Sequence, residues 1–415
     1  MVSFKSAVVV ATAVSGAVAA LSSAKCLFLT TVTDAAGVAA LNACPTLSGD
    51  ITVEGDGLGG AVDLSQVQVL KGNLDLTNST SVTLISLGGL EEVDGQLNIA
   101  KFTSVFNIDF TKLSSVTGNL SLITMPSLSG MNLNTGLSKL NSLTISDTAL
   151  SELTGLVSNV TEMAYLDLDN NKNMSLIKLP LKKVTDQLIL SFNDDNANVT
   201  LDSLEEAYSV VIQDVALVSL KKLKAVNLTF QIAYGFFEDL ELPNLEEVDG
   251  SVRIVANTQL LNVSFPKLTT IGGELGFENN TKLEDLGDAF PEVTDIKGAL
   301  NIKGDIGSFE LPKLKQVAGT FTLESTNDEL DCSKALDKSK VKANDPVCSA
   351  PAKKDTSSGS DSASATSTGK GGKQSGDSKS SDSSSSNNNS DNKKSGAAAI
   401  FPSLAAVIGA FLIMA

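Results

Sequence analysis

Leu242-Pro243-Asn244-Leu245-Glu246-Glu247-Val248-Asp249-Gly250, followed by the spaced pair Val252/Ile254, is the stretch whose reading decides the fold, because it comes round again. Phe265-Pro266-Lys267-Leu268-Thr269-Thr270-Ile271-Gly272-Gly273 precedes Leu275/Phe277, and Leu311-Pro312-Lys313-Leu314-Lys315-Gln316-Val317-Ala318-Gly319 precedes Phe321/Leu323. Leu90-Glu91-Glu92-Val93-Asp94-Gly95 and Leu113-Ser114-Ser115-Val116-Thr117-Gly118 carry its second half. Working outward, the spaced pair occurs 13 times at intervals of about 23 residues: Ile51/Val53, Leu74/Leu76, Leu97/Ile99, Leu120/Leu122, Leu143/Ile145, Leu166/Leu168, Leu188/Leu190, Val210/Ile212, Leu228/Phe230, Val252/Ile254, Leu275/Phe277, Leu300/Ile302 and Phe321/Leu323. Strand side chains alternate between faces, so each pair points inward and the residue between them points out. One such turn cannot bury its own apolar face, and only stacking makes a core.

The fold predicted is mainly β: a right-handed parallel β-helix or leucine-rich solenoid of about 13 turns. Proline ends the preceding extended run, and the Leu and Val three apart bury one side of a short helical or irregular turn. Glycine then admits the tight entry into the next strand. Between Val210 and Leu228 the spacing contracts to 18 residues and Pro and Gly disappear, so an irregular geometry is expected there.

The two ends read as addresses. Residues 1–19 have the form of a secretory signal, with Lys5, an apolar run from Ala7 to Val14 and the small-residue motif Ala17-Val18-Ala19. Cleavage is expected after Ala19 or Ala20, with Ala24 an alternative. Residues 397–415 are apolar apart from Ser403 and follow the small residues Ser395-Gly396-Ala397-Ala398. That pattern suggests replacement of the tail by a glycosylphosphatidylinositol (GPI) anchor, at Gly396 or alternatively Ser395 or Asn389. A short tail-anchored helix is the rival, but a cleavable signal does not precede one. Residues 20–349 hold the repeats. Residues 350–396, rich in Ser, Lys, Asp, Gly and Asn, lack the apolar surface to offset ordering entropy and read as a disordered stalk, with O-glycosylation an option.

The chain carries a formal net charge of −17, no His and no Trp, and its one Arg is Arg253. The charge disfavours nucleic acid as a partner. Lack of His excludes Ser-His-Asp and Cys-His catalysis and His-ligated zinc. No catalytic, metal or cofactor residue is assigned. Acidic pairs such as Glu91-Glu92 and Glu246-Glu247 read as solvated turns. The four cysteines fall as Cys26 with Cys44 and Cys332 with Cys348, separated by an array that would span about 60 Å at a strand spacing near 4.8 Å. Only local pairing closes, and each bridge is expected to staple a cap over an open end of the core. Nine sequons stand at Asn78, Asn119, Asn159, Asn173, Asn198, Asn227, Asn262, Asn279 and Asn388, which predicts glycans on more than one side of the rod.

The pattern L-P-x-L-x-x-V-x-G-x-L-x-I resembles the receptor L-domain type of leucine-rich solenoid found in growth-factor receptor ectodomains. With the flanking Cys pairs, the Ser-rich stalk and the GPI signal, the whole resembles the fungal GPI-anchored cell-wall organisation proteins of the sporulation-specific and extracellular-mutant type. The resemblance covers about Cys26 to Cys348 and both terminal signals. It implies a non-enzymatic surface glycoprotein supporting wall assembly, integrity and morphogenesis, located outside the cell on the plasma membrane through GPI lipid or in the wall. Wall polysaccharide or wall proteins are the implied partners.

Two rivals differ in what they need. A pectinase-like β-helix enzyme needs carboxylates clustered on adjacent turns. The middle residues of the pairs run Thr52, Asp75, Asn98, Ser121, Thr144, Asp167, Ile189, Val211, Thr229, Arg253, Gly276, Asn301 and Thr322. Asp75 and Asp167 stand four turns apart, about 19 Å, too far for a glycosidase pair. A ligand- or glycan-binding receptor needs an unglycosylated, chemically varied patch. Ile189, Val211, Thr229 and Arg253, near Tyr234, Phe236 and Phe237, form one candidate, set against the alternative that an irregular loop covers them as ordinary core.

Overall fold

A computed structural model describes residues 26–353 apart from 135, 154 and 336–341. The signal segment, residues 354–415 with the rest of the stalk, Asn388 and the anchor residues Asn389, Ser395 and Gly396 lie outside the described residues.

One turn explains the rest. In the strand Val69–Ser79, Leu74 and Leu76 point inward and are buried while Asp75 faces out. Asn78 then takes a left-handed backbone, φ 56°, and turns the corner. Val82 fills the interior, and the short strand Leu84–Ser86 buries Ile85 on a second side. After a turn that buries Leu87 and Leu90, the strand Glu92–Asp94 buries Val93 on a third side, and Gly95 leads into Leu97–Phe102. Leu74 then pairs with Leu97, Asp75 with Asn98 and Leu76 with Ile99. Every pairing between described strands is parallel. The stacked long and third-side strands form one sheet of 20 strands, and the second side is divided into sheets of four, three, two and two strands.

Each buried Leu, Ile or Val contributes roughly 1.5–3 kcal/mol, and every turn repeats the set. Toward the C-terminal half phenylalanines take over: Phe265 stacks on Phe290 at 5.1 Å between centroids, with Phe277 and Phe230 edge-on to the pair at 5.8 and 6.4 Å. The ends are closed as expected. Cys26 bonds Cys44 beside the helix Ala35–Asn42, which is capped by Asp34 and buries Val38 and Leu41, and Cys332 bonds Cys348 in the last strand, Lys342–Ser349.

Three features depart from the sequence reading. The segment expected to be a helical or irregular turn before each glycine is strand: Val226, Val248, Ile271 and Ile296 stack in register in the main sheet. The ninth pair is Phe230/Ile232, not Leu228/Phe230, since Val210 pairs with Phe230 and Phe230 with Val252. Leu228 is exposed, and the outward middle residue is Gln231 instead of Thr229. The spacing therefore contracts to 20 and then 22 residues without loss of register.

Two devices hold the corners. Ten successive turns place one non-glycine residue at positive φ, from Asn78 through Lys101, Thr124, Asp147, Asn170, Phe192, Asp214, Tyr234 and Ala256 to Asn279. Each costs on the order of 1 kcal/mol, which the ladder on either side offsets. The next residue inward is often a buried asparagine. Asn193 donates from Nδ2 to the Leu168 carbonyl at 2.9 Å, and its Oδ1 accepts from the Asn171 backbone N–H and side chain at 3.2 and 3.1 Å. Asn171 repeats the arrangement toward Ile145 and Thr148, as Asn280 does toward Ile254 and Asn257. At the other corner Gly95 approaches Gly72 so closely that a Cβ would meet the Gly72 carbonyl oxygen at 2.0 Å.

Candidate interaction face

The outward residues of the long strands form a flat face running the length of the solenoid. Register fixes its central column as Thr52, Asp75, Asn98, Ser121, Thr144, Asp167, Ile189, Val211, Gln231, Arg253, Gly276, Asn301 and Thr322. Asp75 and Asp167 are four strands apart in it. Ile189 and Val211 are neighbours, half-buried and outward-facing, and Arg253 is exposed. They are not interior residues beneath a loop. Thr229 stands one column aside and half-buried, and Tyr234 and Phe236 are exposed beyond the corner while Phe237 is buried.

The face changes chemistry along its length. Near the start, Asn73 donates to Asp50 at 2.8 Å and Asn98 to Asp75 at 2.6 Å. In the middle, the strand Glu162–Asp169 aims Tyr165, Asp167 and Asp169 outward by alternation. The Tyr165 hydroxyl donates to Asp167 Oδ2 at 3.0 Å, while Asp167 Oδ1 is buried without a partner. Burial, and then the charge of Asp169, push the Asp167 carboxyl up to about 6, against the lowering effect of the Tyr165 bond. Burial likewise raises Asp169, assisted by Asp147 and opposed by bonds from Ser146 and Asn170. Tyr165 is raised by burial and by Asp167, so its hydroxyl stays protonated and donating. Past the apolar pair, Arg253 lies 3.9 Å from Glu274, Asn301 bonds Glu278, and Lys303 pairs with Glu324 at 3.3 Å.

Reading only the middle column missed Asp169 and Tyr165. The alternation Tyr165-Leu166-Asp167-Leu168-Asp169 was the signal that places all three on one surface.

The described sequons are distributed unevenly. Asn78 and Asn279 occupy left-handed corners, Asn173 the turn after one, Asn159 the turn between the second side and the strand Glu162–Asp169, Asn198 and Asn262 the second side, and Asn227 the corner before a long strand. All seven are exposed. Asn119 alone of the described sequons lies in the face, half-buried beside Ser121, to whose Oγ it donates at 3.1 Å. From Thr144 to Thr322 the outward strand residues include no sequon asparagine.

An end-capped parallel β-solenoid with a continuous outward strand face defines the fold class of this chain. This chain belongs to the fungal family of GPI-anchored cell-surface and cell-wall proteins. It is 43% identical over 359 residues, 85% of this chain and 86% of that protein, to the cell surface GPI-anchored protein ECM33 of Candida albicans. It is 31% identical over 297 residues to the cell wall mannoprotein PST1 of Saccharomyces cerevisiae, covering 71% of this chain and 65% of that one. Sporulation-specific protein 2 of the same yeast is 32% identical over 208 residues, 50% of this chain and 41% of its own length. No family model and no solved structure matches the chain.

Proposed function

We propose that the protein is a non-enzymatic glycoprotein held at the fungal cell surface by a GPI anchor, where it supports wall organisation, integrity and morphogenesis through its bare strand face. The observation that carries this reading is the similarity over 85% of the chain to a cell-surface GPI-anchored protein. The sequon pattern supports the choice of face: glycans at the corners and second side would leave the strand surface from Thr144 to Thr322 open to wall polysaccharide or a wall protein. Ile189 and Val211 supply its apolar centre, with Arg253 and Glu274 on one flank and Asp167 on the other. The plasma membrane is met through the lipid anchor alone.

A carboxylate-dependent activity is the second reading, favoured by the raised pKa of Asp167 beside Asp169. Against it, Asp167 Oδ1 is buried beneath the surface and Oδ2 is engaged by the Tyr165 hydroxyl. The two readings part on one experiment. A chain ending at Asn392 should fold and escape to the medium, and cells making only that form should show the wall-dye sensitivity of a deletion. Rescue of the wall by the released form would refute action by display.

A further inference from the structure

The second side of the solenoid is interrupted. Strands Asn198–Thr200 and Leu217–Ser219 belong to one small sheet and strands Asp239–Glu241 and Asn262–Ser264 to another. The corner is shortened nearby: Leu217 comes three positions after the left-handed Asp214, where Leu176 comes six after Asn170. Between the two sheets opens a cleft of about 820 Å³. Its apolar surface is Phe236, 46% exposed, with Leu217, 43% exposed, and its polar rim includes Asp202, Ser219, Asp239 and Glu241. An exposed aromatic face beside carboxylate and hydroxyl groups suits a pyranose, which offers an apolar C–H face to the ring and hydroxyls to the rim.

A sequon flanks the cleft on each side, one strand away. Asn198 is in register with Leu217, and Asn262 with Asp239. Asn262 is the better placed, because its Nδ2, the atom that carries the sugar, donates to Asp239 Oδ1 at 2.7 Å and so already stands at the rim. An N-linked asparagine keeps one N–H on that nitrogen, so a donor remains at the rim after modification.

We infer that the cleft seats the first sugars of the Asn262 glycan, stacked on Phe236. The inference rests on the reading that the sequons are glycosylated. The consequence is a functional asymmetry: Phe236 and Leu217, the exposed apolar side chains of this cleft, are shielded by the protein's own glycan, and the strand face is left as the surface that partners meet.

The test is a time course of endoglycosidase H on the native, full-length glycoprotein, followed site by site with glycopeptide mass spectrometry. The Asn262 glycan should be released at least fivefold more slowly than those at Asn173 and Asn279. Phe236→Ser, at a half-exposed position that tolerates the change, should bring Asn262 up to their rate without altering Asn173, and Phe236→Trp should keep the protection. In Asn262→Gln, binding of a hydrophobic dye should increase, and adding Phe236→Ser should abolish the increase. An Asn262 peptide without sugar would refute both glycosylation there and its seating. An occupied Asn262 released as fast as the others, or equally slow with Phe236→Ser, would overturn the seating alone. So would Phe236-dependent binding of soluble β-glucan by the protein that carries the Asn262 glycan, since the cleft would then take a free polysaccharide.

Discussion

Replacing Asp167 by Asn tests the electrostatics of the strand face. In the folded protein this carboxyl has one oxygen bonded to Tyr165 and the other buried without a partner, with Asp169 on the same strand surface. Its pKa rises from 3.8 to about 6. A shift of about two units corresponds to at most about 3 kcal/mol at 1.36 kcal/mol per unit, and partial solvation reduces this to about 1–2 kcal/mol. The folded state holds the proton more tightly than the unfolded chain. The neutral acid is thus fully accommodated below about pH 4, and stability is lost as pH rises through about 6. Asp167→Asn removes the penalty while keeping an oxygen for Tyr165. Urea denaturation should find the variant more stable by about 1–2 kcal/mol at pH 7.5 and equal to the parent at pH 3.5. Asp169 and Asp214, also raised by burial, act in the same direction in both proteins. A variant less stable at pH 7.5, or shifted equally at both pH values, would refute the reasoning. On the proposed reading of action by display, cells carrying Asp167→Asn should keep a sound wall.

The buried asparagine ladder and the strand register give two further predictions. Asn193→Ala strands the Leu168 carbonyl and two N–H groups of Asn171, and should cost about 2–5 kcal/mol in urea denaturation, while exposed Asn196→Ala should stay within about 0.5 kcal/mol. Leu323→Asp places a carboxylate in the core and should block secretion, whereas Thr322→Asp, one residue away on the outward face, should be secreted normally; equal outcomes would mean the register is wrong.

Alternation made most of this fold legible in the sequence, and the same rule explains where it failed. Leu228-Thr229-Phe230 and Phe230-Gln231-Ile232 both offer an apolar pair two apart, and nothing local separates them. The choice is made by cross-strand pairing to Val210 and Val252, which a single segment does not record. The left-handed corners were equally hidden: Asn78 and Asn279 favour that backbone, but Lys101, Thr124, Phe192 and Ala256 adopt it because the stacked ladder requires it. The β-branched Val or Ile before each glycine was read with the turn around it, although its strand identity comes only from its stacked neighbours. The outward face was legible in its centre and not in its width, since one residue per turn was read where three are displayed. The cleft opens between the second-side strands of two turns and lay beyond any one-turn reading.

The claim that the bare strand face does the protein's work is tested most directly by placing a glycan on it. Arg253→Asn with Val255→Thr creates the sequon Asn-Ile-Thr in a strand whose residues 253 and 255 face outward while Ile254 stays in the core. The measurement is wall-dye sensitivity of cells whose sole copy carries this pair of changes, with glycan occupancy and surface display checked on the same cells. Unrescued sensitivity at normal surface levels is the outcome predicted, with recovery when Val255 is restored and Arg253→Asn stands alone. Full rescue by a displayed protein with the new site occupied would contradict the account.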